Sequence, residues 1–373
     1  MRPGRFPGRL LIFAALLWRL PGQWLRRKPA ARSVKRVLIL HQFLLGDALM
    51  ATSLLAKARE RFPQADIALA CPPGQAALYA SRPYGVRALP WQPRDFASIR
   101  RLFAEPRFDM VYLMGENRLS FLARAIGARW IVGFAAETPA YKNWLLDEQV
   151  PYSPQPESWT DTAATLVDGP DPAPFRLDDW PLTAAALPNL PERYVVLHVG
   201  ASSATRFWPA QSWREVAAAA RRGGCVVAWS CGPGEQALLD TIQPQAGDLV
   251  WAGSLSLPQL RTALAGAKAC VCPDTGIAHL AKTALCPLIM LFGPGDPALF
   301  GASRFFAAQR CLAAGPAWFP CRNQRSVHYR PVDWALRCFR KAGGSTDECS
   351  NAQCMVAIMP GIVCQALMNL IES

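Results

Sequence analysis

Four loops in this chain gather acidic, basic, hydroxyl and glycine residues in patterns suited to holding an anion or moving a proton. The sharpest is Cys272-Pro273-Asp274-Thr275-Gly276-Ile277-Ala278-His279-Leu280. An apolar run ends, a short polar turn follows and an apolar helix begins. Asp274 or Thr275 can cap that helix, and Gly276 lets a ligand approach the backbone. The free amides and the positive end of the helix dipole then make an anion site. A plain helix cap explains the same residues, and His279, one turn in, also reads as a core histidine bonded to backbone.

The second loop is His198-Val199-Gly200-Ala201-Ser202-Ser203-Ala204-Thr205-Arg206-Phe207-Trp208-Pro209. Its amides and the Ser202 and Ser203 hydroxyls can wrap a phosphate, and Arg206 can add a bidentate, permanently charged clamp. A surface loop with a solvated arginine is the competing reading. The third loop, Gln42-Phe43-Leu44-Leu45-Gly46-Asp47, puts one carboxylate at a helix start. Asp47 can cap the helix or serve as a general base toward an acceptor hydroxyl. In the fourth, Ser230-Cys231-Gly232-Pro233-Gly234-Glu235, the glutamate can accept from a ribose hydroxyl or simply favour the helix N-terminus.

No dinucleotide-binding glycine fingerprint, Walker loop, Gly-x-Ser-x-Gly elbow or His-Glu-x-x-His is present. No Asp-x-Asp pair suited to a diphosphate-bound metal lies in these loops, since Asp178-Asp179 falls in a proline-rich stretch. The expectation is chemistry that needs neither metal nor cofactor.

The elements that must position these loops are short apolar strands alternating with helices. Val37-Leu38-Ile39-Leu40 suits a strand buried on both faces. A helix over 48–61, strands over 66–71, 109–114 and 130–134, and a helix through Leu119, Leu122, Ala123 and Ile126 continue the series. Residues 151–192 carry nine prolines and read mainly as a linker around a helix near Trp159 to Leu166. The alternation then restarts with strands over 194–199, 225–229, 268–272 and 287–292, and helices beginning at Pro209, Glu235, Leu257 and the Asp274 turn. The expected fold class is α/β, with two Rossmann-like doubly wound domains facing a central cleft lined by strand C-terminal ends. The expected boundaries are a basic arm over 1–33, a first domain over 34–180, a second over 181–350, and a terminal helix over 351–373 packing back on the first domain.

At 373 residues, 51% apolar and 18% charged, the chain is long enough for two domains with their own cores. The net charge of +13 is concentrated. Ten arginines and lysines and no acidic residue lie within residues 1–36, leaving +3 for the rest. With no recognition module beside it, this arm argues against a nucleic-acid partner. Leu10 to Trp18, flanked by Arg9 and Arg19, is too short to span a bilayer, which needs about 20 residues. It reads as a helix lying on an anionic membrane surface, as a signal peptide, or as a basic extension. Twelve cysteines include Cys311, Cys321, Cys338, Cys349 and Cys354 near the C-terminus without a C-x-x-C pair. Reduced, partly buried thiols are the favoured reading and a zinc site the competing one.

Taken together, these residues resemble glycosyltransferase family 9, the lipopolysaccharide heptosyltransferase family, over nearly all of residues 34–373. Gly46-Asp47 and Ala48-Leu49-Met50-Ala51-Thr52 resemble its N-terminal loop and helix. Arg206-Phe207-Trp208-Pro209 resembles its basic-aromatic-Trp-Pro element, where lysine is common. Asp274-Thr275-Gly276 through Ala281 and Phe292-Gly293-Pro294-Gly295-Asp296-Pro297 resemble its donor turn and following loop. Ser53 replaces a common proline, and Leu113 to Arg118 departs from the usual Asp-Leu-Gln-Gly.

The resemblance implies a GT-B fold and inverting transfer of a sugar, most often heptose from ADP-heptose, onto a lipopolysaccharide core or related glycolipid acceptor. It makes Asp47 the catalytic base beside Gly46. Ser202, Ser203, Arg206, Glu235, Asp274, Thr275, Gly276 and His279 become donor-site residues. A cytoplasmic donor places the enzyme on the inner face of the inner membrane and argues against the signal peptide. A GT-B nucleotide-sugar isomerase and a catalytically silent envelope-assembly protein are the rival functions.

Overall fold

The computed structural model describes residues 6–19, 27–183, 187, 189–342 and 348–372. The chain divides into two units, one comprising Met1–Gln155, Trp159–Ala173 and Ser326–Asp333, the other Pro156–Ser158, Pro174–Arg325 and Trp334–Ser373.

In the first unit six strands run parallel: β1 Arg36–Leu40, β2 Asp66–Cys71, β3 Arg87–Pro90, β4 Met110–Leu113, β5 Trp130–Phe134 and β6 Glu148–Val150. Their order is β3-β2-β1-β4-β5-β6. The central strands are continuous apolar runs because helices cover both faces. Leu38, Leu40, Val111, Leu113 and Ile131 meet Ile99, Leu102, Leu122 and Ile126 on one side. The helices used below are α1 Phe6–Arg19, α2 Leu45–Met50, α3 Thr52–Arg61, α4 Phe96–Ala104, α5 Ser120–Ala125 and α6 Trp159–Ala164.

The single helix expected over 48–61 is two helices that meet at Ala51. The Thr52 hydroxyl donates to the Leu49 carbonyl at 2.6 Å, and Ser53 Oγ donates to the Thr160 carbonyl on α6. Side-chain bonds of this kind compete with the helical ladder and break it locally.

The second unit repeats the plan. Strands β7 Tyr194–His198, β8 Val226–Ser230, β9 Leu249–Val250, β10 Ala269–Pro273, β11 Leu288–Leu291 and β12 Cys311–Ala314 lie in the order β12-β11-β10-β7-β8-β9. The helices used below are α7 Ala210–Arg222, α8 Gln236–Ile242, α9 Leu257–Gly266, α10 Gly276–Thr283 and α11 Pro360–Ile371. In each sheet the order reverses once, between β1 and β4 and between β7 and β10. Ligands of open α/β sheets bind beyond the strand ends at such a point.

Two expectations need correction. The terminal helix belongs to the second unit. Val363, Leu367, Leu370 and Ile371 of α11 join the second unit's core with Trp213, Val216 and Ala220 of α7, since α7 leaves an apolar stripe that only another helix face can cover. The segment that returns to the first unit is a hairpin of β13 Ser326–Val327 and β14 Arg330–Pro331. The proline-rich stretch is also more than a linker: Trp159 is fully buried in the first unit, and Phe175 and Trp180 in the second. Arg261 lies over the Trp180 ring at 4.8 Å and donates to its carbonyl at 2.6 Å.

Helix α1 packs against α5 and α4. Gly8 is buried there, and any side chain at that position would collide with Ile99 Cδ1. Leu16 is buried, while Phe6, Leu10, Phe13, Leu17 and Trp18 are exposed. No helix among the described residues is long and apolar enough to cross a membrane. All twelve cysteines are free thiols, and no group of three or more His, Cys, Asp or Glu among the described residues could hold a metal ion.

Candidate active site

In the second unit the loops after β7 and β10 meet at the reversal point. Arg206 Nη1 donates to the Asp274 carbonyl at 2.9 Å, which ties the basic residue to the turn. Helix α10 starts with Thr275 at its N-cap, yet no side chain caps it. The Thr275 hydroxyl is buried and without a partner among the described residues. The capping role open to Asp274 and Thr275 in the sequence is therefore not taken up. The first amides stay available beside Gly276 and Ile277, which are only half-buried, as an anion site requires.

Asp274 is 5% exposed. Burial disfavours its charge, but His279, Arg206 and Lys282 outweigh that and hold the carboxyl below its usual range. His279 Nε2 lies 3.7 Å from Asp274 Oδ1. Burial, with nearby Lys282, pushes the His279 pKa down to about 4, so the ring faces the carboxylate as a neutral dipole at pH 7. Lys282 is itself buried, donating to the Phe300 carbonyl at 2.7 Å and to that of Gly301. The other side of Asp274 is Gly295. A Cβ there would collide with Asp274 Oδ2 and stand 3.3 Å from its Cγ, so only glycine leaves the carboxylate its place.

Glu235 precedes α8 but does not cap it. Its carboxylate accepts from the Ala201 amide at 3.1 Å and the Gly232 amide at 2.6 Å, joining the loops after β7 and β8. Two oxygens offer about four acceptor positions, so capacity for ribose hydroxyls remains. A Cβ at Gly200 would collide with Glu235 Oε2, and one at Gly232 would stand 2.7 Å from it. The Ser203 hydroxyl accepts from the Thr205 amide at 3.4 Å and is 2.9 Å from Thr205 Oγ1, while Ser202 is exposed. His198 Nδ1 is 3.1 Å from Ser230 Oγ, and burial lowers its pKa to about 4.

In the first unit, Asp47 sits in the first turn of α2 with Leu44 at the N-cap, and no side chain caps this helix. Its Oδ1 lies 3.8 Å from His328 Nε2 on the hairpin tip, with side chains 26% and 17% exposed respectively. The His328 ring packs 4.9 Å from Phe43 and 4.5 Å from Trp159. Buried Arg330, next on the hairpin, donates to the carbonyls of Gly115 at 2.6 Å and Ala135 at 3.0 Å and pairs with Glu137 at 3.2 Å. The nearby His41 is buried and neutral, its pKa lowered by burial to about 3.

A model of glycosyltransferase family 9, described as heptosyltransferase, matches residues 96–324. The chain belongs to glycosyltransferase family 9. Among relatives of this family 9 protein, lipopolysaccharide heptosyltransferase 1 of Pseudomonas aeruginosa is 27% identical over 337 residues, covering 82% of this chain and 90% of that one. A family 9 glycosyltransferase of Veillonella parvula superposes with a TM-score of 0.68 at 16% identity, covering 91% of this chain and 98% of the other. ADP-heptose lipopolysaccharide heptosyltransferase II of Escherichia coli gives 0.64 at 18%, with the same coverage of 91% and 98%. The two parallel six-stranded sheets are thus the two-domain α/β arrangement of GT-B heptosyltransferases.

Within the second unit of this family 9 enzyme, Arg206, Asp274, Thr275, Gly276 and His279 form one cluster, with Glu235 linking the two neighbouring loops. Ser203 serves its local turn. Sequence reasoning overlooked His328 and the buried pair of Arg330 and Glu137. The one available signal was scarcity: the chain has four histidines, and His328 lies outside every apolar strand and helix pattern.

Proposed function

We propose that this family 9 enzyme transfers heptose from ADP-heptose, with inversion, onto a lipopolysaccharide inner-core acceptor. The observation that carries the reading is the uncapped start of α10 beside Arg206 and the charged, buried Asp274. Such a cluster suits a diphosphate leaving group, and the heptosyltransferase relatives supply the donor and acceptor by analogy.

Asp47 takes the proton of the acceptor hydroxyl as its oxygen attacks the anomeric carbon. The bond from that carbon to the diphosphate oxygen breaks, and its electron pair leaves with ADP. Arg206 and the Thr275 and Gly276 amides stabilise the charge that develops there, and preorganised donors of this kind lower the barrier most when they need no rearrangement. The reaction on this reading needs no metal ion. Asp274 orients the donor sugar or phosphate, and Glu235 receives ribose hydroxyls.

The enzyme works at the cytoplasmic face of the inner membrane. Phe6, Leu10, Phe13 and Leu17 recur at helical spacing on the exposed side of α1, and the ten cations of residues 1–36 complement acidic lipid.

The test is ADP release with and without a heptose-deficient lipopolysaccharide acceptor, in the presence of EDTA. Acceptor-dependent release by the wild type, and Asp47→Asn that binds ADP-heptose but transfers nothing, are the expected results. Donor turnover without acceptor would favour an isomerase. Donor binding without transfer to any core acceptor would favour a silent binding protein.

A further inference from the structure

The hairpin of β13 and β14 is built at a conformational cost that packing alone does not require. Its two tip residues, His328 at φ 46° and Tyr329 at φ 64°, both lie in the left-handed region. Two-residue hairpin tips of this shape ordinarily carry Asn-Gly or Gly-Gly, because side chains beyond glycine, asparagine and aspartate are crowded there. Strain of this kind persists only where the surroundings over-determine it.

Here they do. The His328 carbonyl accepts from Arg330 Nη1 at 2.8 Å, and the Tyr329 carbonyl accepts from the Thr138 amide at 3.2 Å and its hydroxyl at 3.1 Å. Arg330 in turn is bonded to Gly115, Phe134, Ala135 and Glu137. The tip is clamped through both of its carbonyls.

What the clamp presents is the imidazole of His328. Phe43 and Trp159 fix its plane, and its Nε2 is the atom turned toward Asp47 Oδ1. An aromatic slot alone would accept phenylalanine equally well. The Nε2 nitrogen, 3.8 Å from the carboxylate oxygen, is what phenylalanine would lack.

We infer that His328 is a positioning residue for Asp47, supplied to the first unit's site by the returning hairpin. It sets the orientation of the carboxylate and touches neither donor nor acceptor. The inference rests on Asp47 being the base, and the experiment separates the two claims.

Four proteins are compared on ADP-heptose and a core acceptor: wild type, His328→Phe, His328→Gln and Asp47→Asn. Phenylalanine keeps the ring between Phe43 and Trp159 and removes the nitrogen. Glutamine restores an N–H near the Nε2 position. The expected result is a fall in kcat of about 10-fold or more for His328→Phe, on the order of what a misplaced catalytic group costs, with donor affinity, acceptor KM and melting temperature unchanged. His328→Gln should recover part of that kcat.

Wild-type kcat in His328→Phe, with Asp47→Asn inactive, overturns the positioning role and leaves the base intact. Loss of kcat, donor affinity and melting temperature together in His328→Phe, with no recovery in His328→Gln, reduces the histidine to packing and also overturns it. An active Asp47→Asn removes the base itself, and the inference with it.

Discussion

Replacing Gly295 by alanine tests whether the donor site depends on the placement of a single carboxylate. The new Cβ would collide with Asp274 Oδ2. The Asp274 backbone cannot retreat, because its carbonyl is bonded to Arg206 at 2.9 Å and its amide to the Leu291 carbonyl at 3.2 Å. The side chain must therefore turn away from His279 by on the order of 1 Å, a displacement that costs about 100-fold when it misplaces a reacting or orienting group. That corresponds to roughly 2.7 kcal/mol in kcat/KM. A buried charge losing part of its surroundings also lowers stability by about 1–3 kcal/mol. The assay is acceptor-dependent ADP release, with donor affinity by calorimetry and a melting curve for each variant. Gly361→Ala is the control, since nothing lies within 4 Å of a Cβ at that position on α11 and alanine favours a helix. Gly295→Ala with donor affinity and kcat/KM within about threefold of wild type would refute the placement argument.

Further outcomes follow from the same geometry. Arg206→Ala should lower kcat by about 100-fold or more, the loss seen when one preorganised donor to a developing oxyanion is removed. Arg206→Lys keeps the charge but loses the fork that spans the Asp274 carbonyl and an anion, and steady-state kinetics should place it between the two. Acid should destabilise the fold early. A buried histidine whose folded pKa lies below its unfolded value contributes its full stability above about pH 6.5 and loses it as pH falls toward the folded pKa. For His198 and His279, both lowered to about 4, the loss between pH 7 and 5 is about 2 kcal/mol each. Melting curves across that range should show it, and a flat profile would contradict it. Replacing Leu10, Phe13 and Leu17 together by serine should cut binding to anionic vesicles by at least about tenfold and leave transfer to a soluble acceptor unchanged. Sedimentation with lipid and the ADP assay check the two halves.

The parts legible in the sequence were those whose signals are local. β1, β2, β7 and β10 are short apolar runs because central parallel strands must be buried on both faces, and the Asp274 turn announces itself where such a run gives way to small polar residues. Three of the four edge strands, Arg87–Pro90, Glu148–Val150 and Leu249–Val250, have too few apolar residues to set a period. The terminal helix shows the limit differently. Its apolar face says that it packs, but not that the partner is the Trp213 face of α7. The hairpin could not be read at all. Arg330 and Glu137 are 193 positions apart, and neither the clamp nor the approach of His328 to Asp47 leaves a local pattern. Asp47 and Thr275 have the residue types and positions of caps, yet neither helix start carries a side-chain cap.

Heptosyl transfer from ADP-heptose to a core acceptor leaves its record in the product. The most direct measurement is the mass and anomeric configuration of the product formed by purified enzyme, ADP-heptose and heptose-deficient lipopolysaccharide. The expected product is an acceptor heavier by one heptosyl unit, with the anomeric configuration opposite to that of the donor and one ADP released per transfer. An unmodified acceptor, or a product with retained configuration, would contradict it.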